Sequence, residues 1–84
     1  MNLRNELAKS RIYISDADWS QRGSVHYLRV GEFIVEGTGV SIVSYAKAQK
    51  RKNIPALLKL IQSKAIRILE ATRDVILACG LPQL

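Results

Sequence analysis

From Ile54 to Cys79 apolar residues recur at alternating steps of four and three: Ile54, Leu58, Ile61, Ala65, Ile68, Thr72, Val75 and Cys79, with Leu57, Leu69 and Ile76 widening the stripe. That spacing keeps one face of an α-helix apolar and predicts a single amphipathic helix over 55–79 with this face buried. The ends agree with it. Pro55 behind Asn53 suits a first helical turn, while Gly80, Leu81 and Pro82 offer a left-handed cap, its apolar contact and a stop. Such a helix is about 37 Å long at 1.5 Å per residue, so a sheet or a partner must run along it.

Upstream the period changes. Asn2 to Lys9 fits two helical turns, with Leu3, Leu7 and Ala8 on one side. Arg11 to Ser15 alternates, Ile12 and Ile14 against Arg11 and Tyr13, as a half-buried strand does. Asp16 to Ser24 gathers turn formers around Trp19 and predicts a loop. Val25 to Val30 and Glu32 to Glu36 are rich in β-branched and aromatic residues, with Gly31 as a bulge or tight bend between them. Gly37-Thr38-Gly39 then predicts a hairpin turn into a third run, Val40 to Tyr45. Ala46 to Asn53 reads equally as a loop or as a helical turn. The whole predicts one α+β domain over residues 1–84: a short N-terminal helix, a three- or four-stranded antiparallel sheet, and a long C-terminal helix packed on one face.

Composition adds two limits. Eighty-four residues give a core at the lower end of what folds unaided, so burial shared with a partner is expected. No apolar run approaches the roughly 20 residues that span a bilayer, no membrane partner is expected, and the polar stretch from Met1 to Arg11 lacks the apolar segment of a secretory signal. A cytoplasmic location is therefore expected. The single cysteine, Cys79, lies on the apolar stripe, where it reads as a small buried hydrophobe rather than a reactive thiol.

The net charge of +6 is unevenly placed. Residues 1–45 carry five basic and five acidic groups, whereas residues 46–84 carry eight basic groups against Glu70 and Asp74 alone. Lys47, Lys50, Arg51 and Lys52 stand just ahead of the expected helix, where cations oppose the positive end of the macrodipole. An anion held there would resolve the conflict, with Lys59, Lys64 and Arg67 available further along. A solvated basic loop explains the same run. Leu60, Ile66 and Leu77 fall off the main stripe and point to a second buried side, at a homodimer or partner contact. Tyr13, Tyr27, Tyr45, Trp19 and His26 lie among Arg11, Arg22 and Arg29, a mixture able to stack bases, although tyrosines in strands are ordinarily half-buried sheet residues.

Enzymatic signals are sparse. One histidine, one cysteine and the Asp16-x-Asp18 pair make no metal-ligand spacing and no nucleophile–base motif. Glu32 and Glu36, a carboxylate pair on one strand face, read chiefly as solvated residues. Gly23-Ser24-Val25-His26-Tyr27, with Lys52-Asn53-Ile54-Pro55 opening a helix downstream, resembles the HicA messenger-RNA endonuclease toxins. That resemblance implies a double-stranded-RNA-binding-like helix–three strands–helix fold and a catalytic histidine directly after the Gly-Ser pair. Here Val25 holds that position and His26 follows one residue later, which on a strand is the opposite face.

The expectation is therefore a non-enzymatic nucleic-acid-binding accessory or regulatory protein, without metal or cofactor. Lys47, Lys50, Arg51, Lys52, Lys59, Lys64 and Arg67 would contact phosphates. The alternative is a protein-binding inhibitor or adaptor, of the kind mobile elements encode, that docks on an acidic partner or a nucleoprotein surface through Leu60, Ile66 and Leu77.

Overall fold

Gly23 and Gly31 set the sheet. Both take φ of +60°, and the residue after each, Ser24 and Glu32, does not share that sign. Each glycine is thus the first residue of a two-residue turn whose twist suits a hairpin. In a computed structural model that describes residues 2–82, these turns join β1 (Trp19–Arg22), β2 (Val25–Val30) and β3 (Phe33–Thr38). A fourth strand, β4 (Ile66–Glu70), completes an antiparallel sheet in the order β1-β2-β3-β4. The helices are α1 (Leu3–Ala8), α2 (Gly39–Lys50), α3 (Ile54–Gln62) and α4 (Arg73–Ala78), with a 3-10 turn at Asp16–Asp18.

The architecture is α+β, as the sequence predicts, with helices on both faces of the sheet. Alternation along β3 sends Val35 to one face and Ile34 to the other. Val35 joins Leu28, Ile66, Leu3 and Leu7 of α1, and Ile42, Val43, Tyr45 and Ala46 of α2 in the larger core. Ile34 joins Ile76, Cys79 and Leu81 beneath α4. Cys79 is buried and free, and burial pushes its thiol pKa up, which keeps it protonated.

The long C-terminal helix is replaced by α3, β4 and α4. Lys64 adopts φ of +62°, its N–H donates to the Ile61 carbonyl, and the Ala65 N–H donates to the Leu60 carbonyl. This 5→2 and 6→1 pair of bonds closes a helix. Ile66-Arg67-Ile68 then alternates as a strand, and the Thr72 hydroxyl accepts from the Val75 N–H to open α4. The steps of four and three came from three elements that share a stripe only on a helical wheel.

Other boundaries move for local reasons. The turn expected at Gly37-Thr38-Gly39 is a strand-to-helix junction: the Thr38 hydroxyl accepts from the Ser41 N–H and caps α2. A Cβ on Gly37 would lie 3.0 Å from the Ala65 carbonyl oxygen, so glycine there permits close approach to the start of β4. Val40 to Tyr45 has β-branched residues but is helical, because Ile42, Val43, Tyr45 and Ala46 bury together and Ala46 to Lys50 propagates a helix well. Trp19 to Arg22, expected as loop, pairs with β2, while Arg11 to Ser15, expected as strand, is irregular. Arg11, at φ of +58°, closes α1 with the same bond pair, Arg11 to Ala8 and Ile12 to Leu7.

Candidate functional site

The sequence-predicted phosphate corner is built differently from expectation. Lys47 and Lys50 occupy the last turn of α2, Arg51 is its C-cap, and Lys52 follows at φ of +53°. They sit at the negative end of a helix dipole, the favourable sign, so no anion is needed to offset them. Lys50 is further committed, since its Nζ donates to the carbonyls of Ser10 (2.6 Å) and Arg11 (3.2 Å) after α1. Asn53 then accepts from the Ala56 N–H to cap α3, with Pro55 in the first turn.

Lys64 and Arg67 lie beside Ile61 and Ile68 where α3 meets β4, whereas Lys59 lies with Ser44, Ala56, Leu60 and Ser63 on another side of α3. On a wheel of 100° per residue the leucines and isoleucines of α3 span about 160°, more than one contact needs. Leu57 and Leu60 pack toward the larger core. Ile54, Leu58 and Ile61, at i, i+4 and i+7, are 57%, 50% and 44% exposed. This reverses the expected arrangement: the face predicted to be buried is open, and Leu60, predicted to point away, turns inward. Ile66 is 3% exposed and belongs to the core, and Leu77 is 58% exposed on α4, so Leu60, Ile66 and Leu77 do not form one interface.

The open stripe continues onto the sheet. Ile61 and Ile68 line one cavity of about 650 Å³ with Lys64, Arg67 and Glu36. Phe33, half-exposed, lies one register step from Ile68 on the same face, given the pairs Val35↔Ile68 and Phe33↔Glu70. Between Gly37 and Leu69 the chain has seven cations and no Asp or Glu. The left-handed residues Lys52 and Lys64 bracket α3 at its two ends. A non-glycine residue in that conformation costs about 1–2 kcal/mol, so the cations stand where glycine would be less strained.

The candidate aromatic platform is dispersed. Tyr45 is buried in the larger core, Tyr27 packs toward α4, and Tyr13 is exposed. Trp19 donates its indole N–H to His26 Nδ1 at 3.0 Å, the rings nearly parallel. His26 is 4% exposed, and burial lowers its pKa below the ordinary value. Burial and the bond from Trp19 hold the imidazole inside the fold, and α1-β1-β2-β3-α2 follows the helix–three strands–helix order of the toxin resemblance, with α3, β4 and α4 added after it. Glu32 lies in the Gly31 turn, and Glu36 pairs across the sheet with Arg67, so the two carboxylates are not together.

Among the described residues no group of three His, Cys, Asp or Glu side chains could hold a metal, and no helix is long and apolar enough to cross a membrane. The α3 stripe was within reach of the sequence once the helix ended at Ser63. The missing signal was glycine, because lysine replaces it at the terminating position. The chain matches no family model, no curated protein and no solved structure among those compared.

Proposed function

We propose that this chain is a protein-binding module, an adaptor or inhibitor, whose α3 face docks on an acidic protein surface. The observation that carries the reading is the exposed stripe Ile54, Leu58 and Ile61 within a stretch that contains seven cations and no acidic residue. An apolar row of this size in a small domain marks an interaction surface. Lys64 and Arg67, beside Ile61 and Ile68, would steer an acidic partner toward it. A phosphate backbone would meet the cations but leave the isoleucines and leucine in water, so nucleic-acid binding fits this face less well.

The test uses an amphipathic acidic peptide of about 18 residues, five helical turns, with Leu and Ile on one face and Glu beside them. The protein should bind it, and joint Ile54→Ser, Leu58→Ser and Ile61→Ser replacement should weaken binding about 100-fold while leaving the circular dichroism unchanged. Unchanged affinity in that variant overturns the reading. So does submicromolar RNA or DNA binding at physiological salt whose logarithmic salt slope falls by nearly one unit for each of Lys59→Ala, Lys64→Ala and Arg67→Ala.

A further inference from the structure

The strand β4 is the last in the sheet, and its hydrogen-bonding phase can be fixed. Ala71 donates its N–H to the directly opposed Glu32 carbonyl at 2.8 Å. In an antiparallel ladder bonded and non-bonded pairs alternate. Leu69 and Arg67, opposite Ile34 and Glu36, therefore turn their backbone groups toward β3, and Ile66, Ile68 and Glu70 turn theirs to the outer edge, where the Glu70 carbonyl already accepts from the Thr72 N–H at 2.8 Å. This edge is short and carries Arg67 and Glu70, but it has no proline, no glycine and no bulge, and its central residue is an exposed isoleucine. The side chains of Ile66 and Ile68 share the face over which α3 lies, and Ile61 of the open stripe meets Ile68 in one cavity.

We infer that the partner docks as an extended strand that adds to the outer edge of β4, an inference that rests on the protein-binding reading above. Residues of that strand opposite Ile66 and Ile68 face the α3 side, where Ile61 and Leu58 offer apolar contact. Their neighbours point to the other side of the sheet, where Arg67 projects. The matching sequence alternates apolar with acidic residues. A helical partner would use the stripe but leave the edge unpaired.

The probe is a peptide of about nine residues alternating Glu with Val and Ile, the length of a strand. Amide exchange in the unmodified protein is the primary measurement. Peptide binding should slow exchange of the Ile66, Ile68 and Glu70 amides about tenfold or more and leave those of Arg67 and Leu69, already paired, little changed. Ile68→Pro removes an outward N–H and no bond to β3, and should weaken binding about tenfold, whereas Ile68→Val should not.

Binding of the helical acidic peptide alone, with protection confined to α3, overturns the strand and leaves the protein-binding reading standing. Failure of both peptides to bind at about 1 mM, with RNA bound instead, removes both. A dimer in sedimentation that Ile68→Pro dissolves keeps the edge but replaces the acidic partner by a second copy, and so overturns the inference as stated.

Discussion

The two edges of the sheet are finished in opposite ways. At the β1 edge directional bonds tie separate elements together: the Arg4 guanidinium pairs with Asp16 and lies 5.8 Å from the Trp19 ring, Trp19 donates to His26, and the Ser20 hydroxyl donates to the Cys79 carbonyl at 2.6 Å. At the β4 edge, among the described residues, no strand side chain makes a hydrogen bond or ion pair, and the adjoining helix leaves half its apolar arc in water. Bonds of the first kind fix register and orientation and occupy the polar side chains of that edge. A surface kept for a partner must be left incomplete, with apolar area uncovered and backbone groups unpaired.

The largest contrast between the ends should come from one chemical change made at each. Leu7, fully buried in α1, and Leu58, 50% exposed in α3, are both truncated by Leu→Ala. Leu7→Ala removes transfer energy and leaves a cavity, at a cost of about 3 kcal/mol. For a domain of this size that lowers Tm by well over 10 °C, at roughly 4–8 °C per kcal/mol. Leu58→Ala should stay within about 0.5 kcal/mol of the parent. Thermal unfolding of the pair decides: equal losses would make α3 a core helix and close the proposed face.

A smaller effect separates the ends by pH. Burial lowers the pKa of His26, and its Nδ1 accepts the Trp19 N–H only while neutral. The unfolded chain, with an ordinary value near 6.5, then binds more protons than the folded one in the window below that value. The stability from neutral His26 is present above pH ~6.5 and is lost as pH falls through the window toward the depressed folded pKa. Tm measured from pH 7.5 to 5 should decline, and His26→Phe should flatten the decline in the upper part of that range. An equally steep slope in His26→Phe would assign the titration to another group. Peptide affinity at the β4 end should follow the carboxylates of the peptide instead, and be unaffected by His26→Phe.

What the sequence disclosed follows from how local each signal is. β2 was legible because β-branched alternation is a short-range mark, and α1 because Leu3 and Leu7 are one helical turn apart, while the glycine at 31 marked a break without deciding between a bulge and a turn. The division of 54–79 was not legible, because Lys64 ends α3 where glycine is expected, as Arg11 and Lys52 do after α1 and α2, and among the four helix ends only Gly80 keeps the usual residue. The helical register of 40–50 depended on burial against β2, β3 and α1, which no window contains. For the candidate site, the basic half was readable, and so was an excess of apolar residues on 54–79 over what one face needs. Which of them stay exposed was not, since it turned on where α3 stops.

The left-handed cations give the finest comparison, because they join stability to function with opposite signs. Lys64→Gly relieves about 1–2 kcal/mol of strain but returns part of it through the greater freedom of glycine in the unfolded chain, for a net gain of about 0.5–1 kcal/mol. Arg11→Gly, at the end of α1, should gain a similar amount. The two should differ in binding. Lys64 lines the cavity beside Ile61 and Ile68, so its loss should weaken the acidic strand peptide several-fold, while Arg11→Gly should leave affinity unchanged. Denaturant unfolding and peptide titration of both variants read the two effects separately. A Lys64→Gly protein that is more stable and binds as well as its parent would show that the cation at this helix end contributes nothing to the partner, and that strain there is unrelated to the open face.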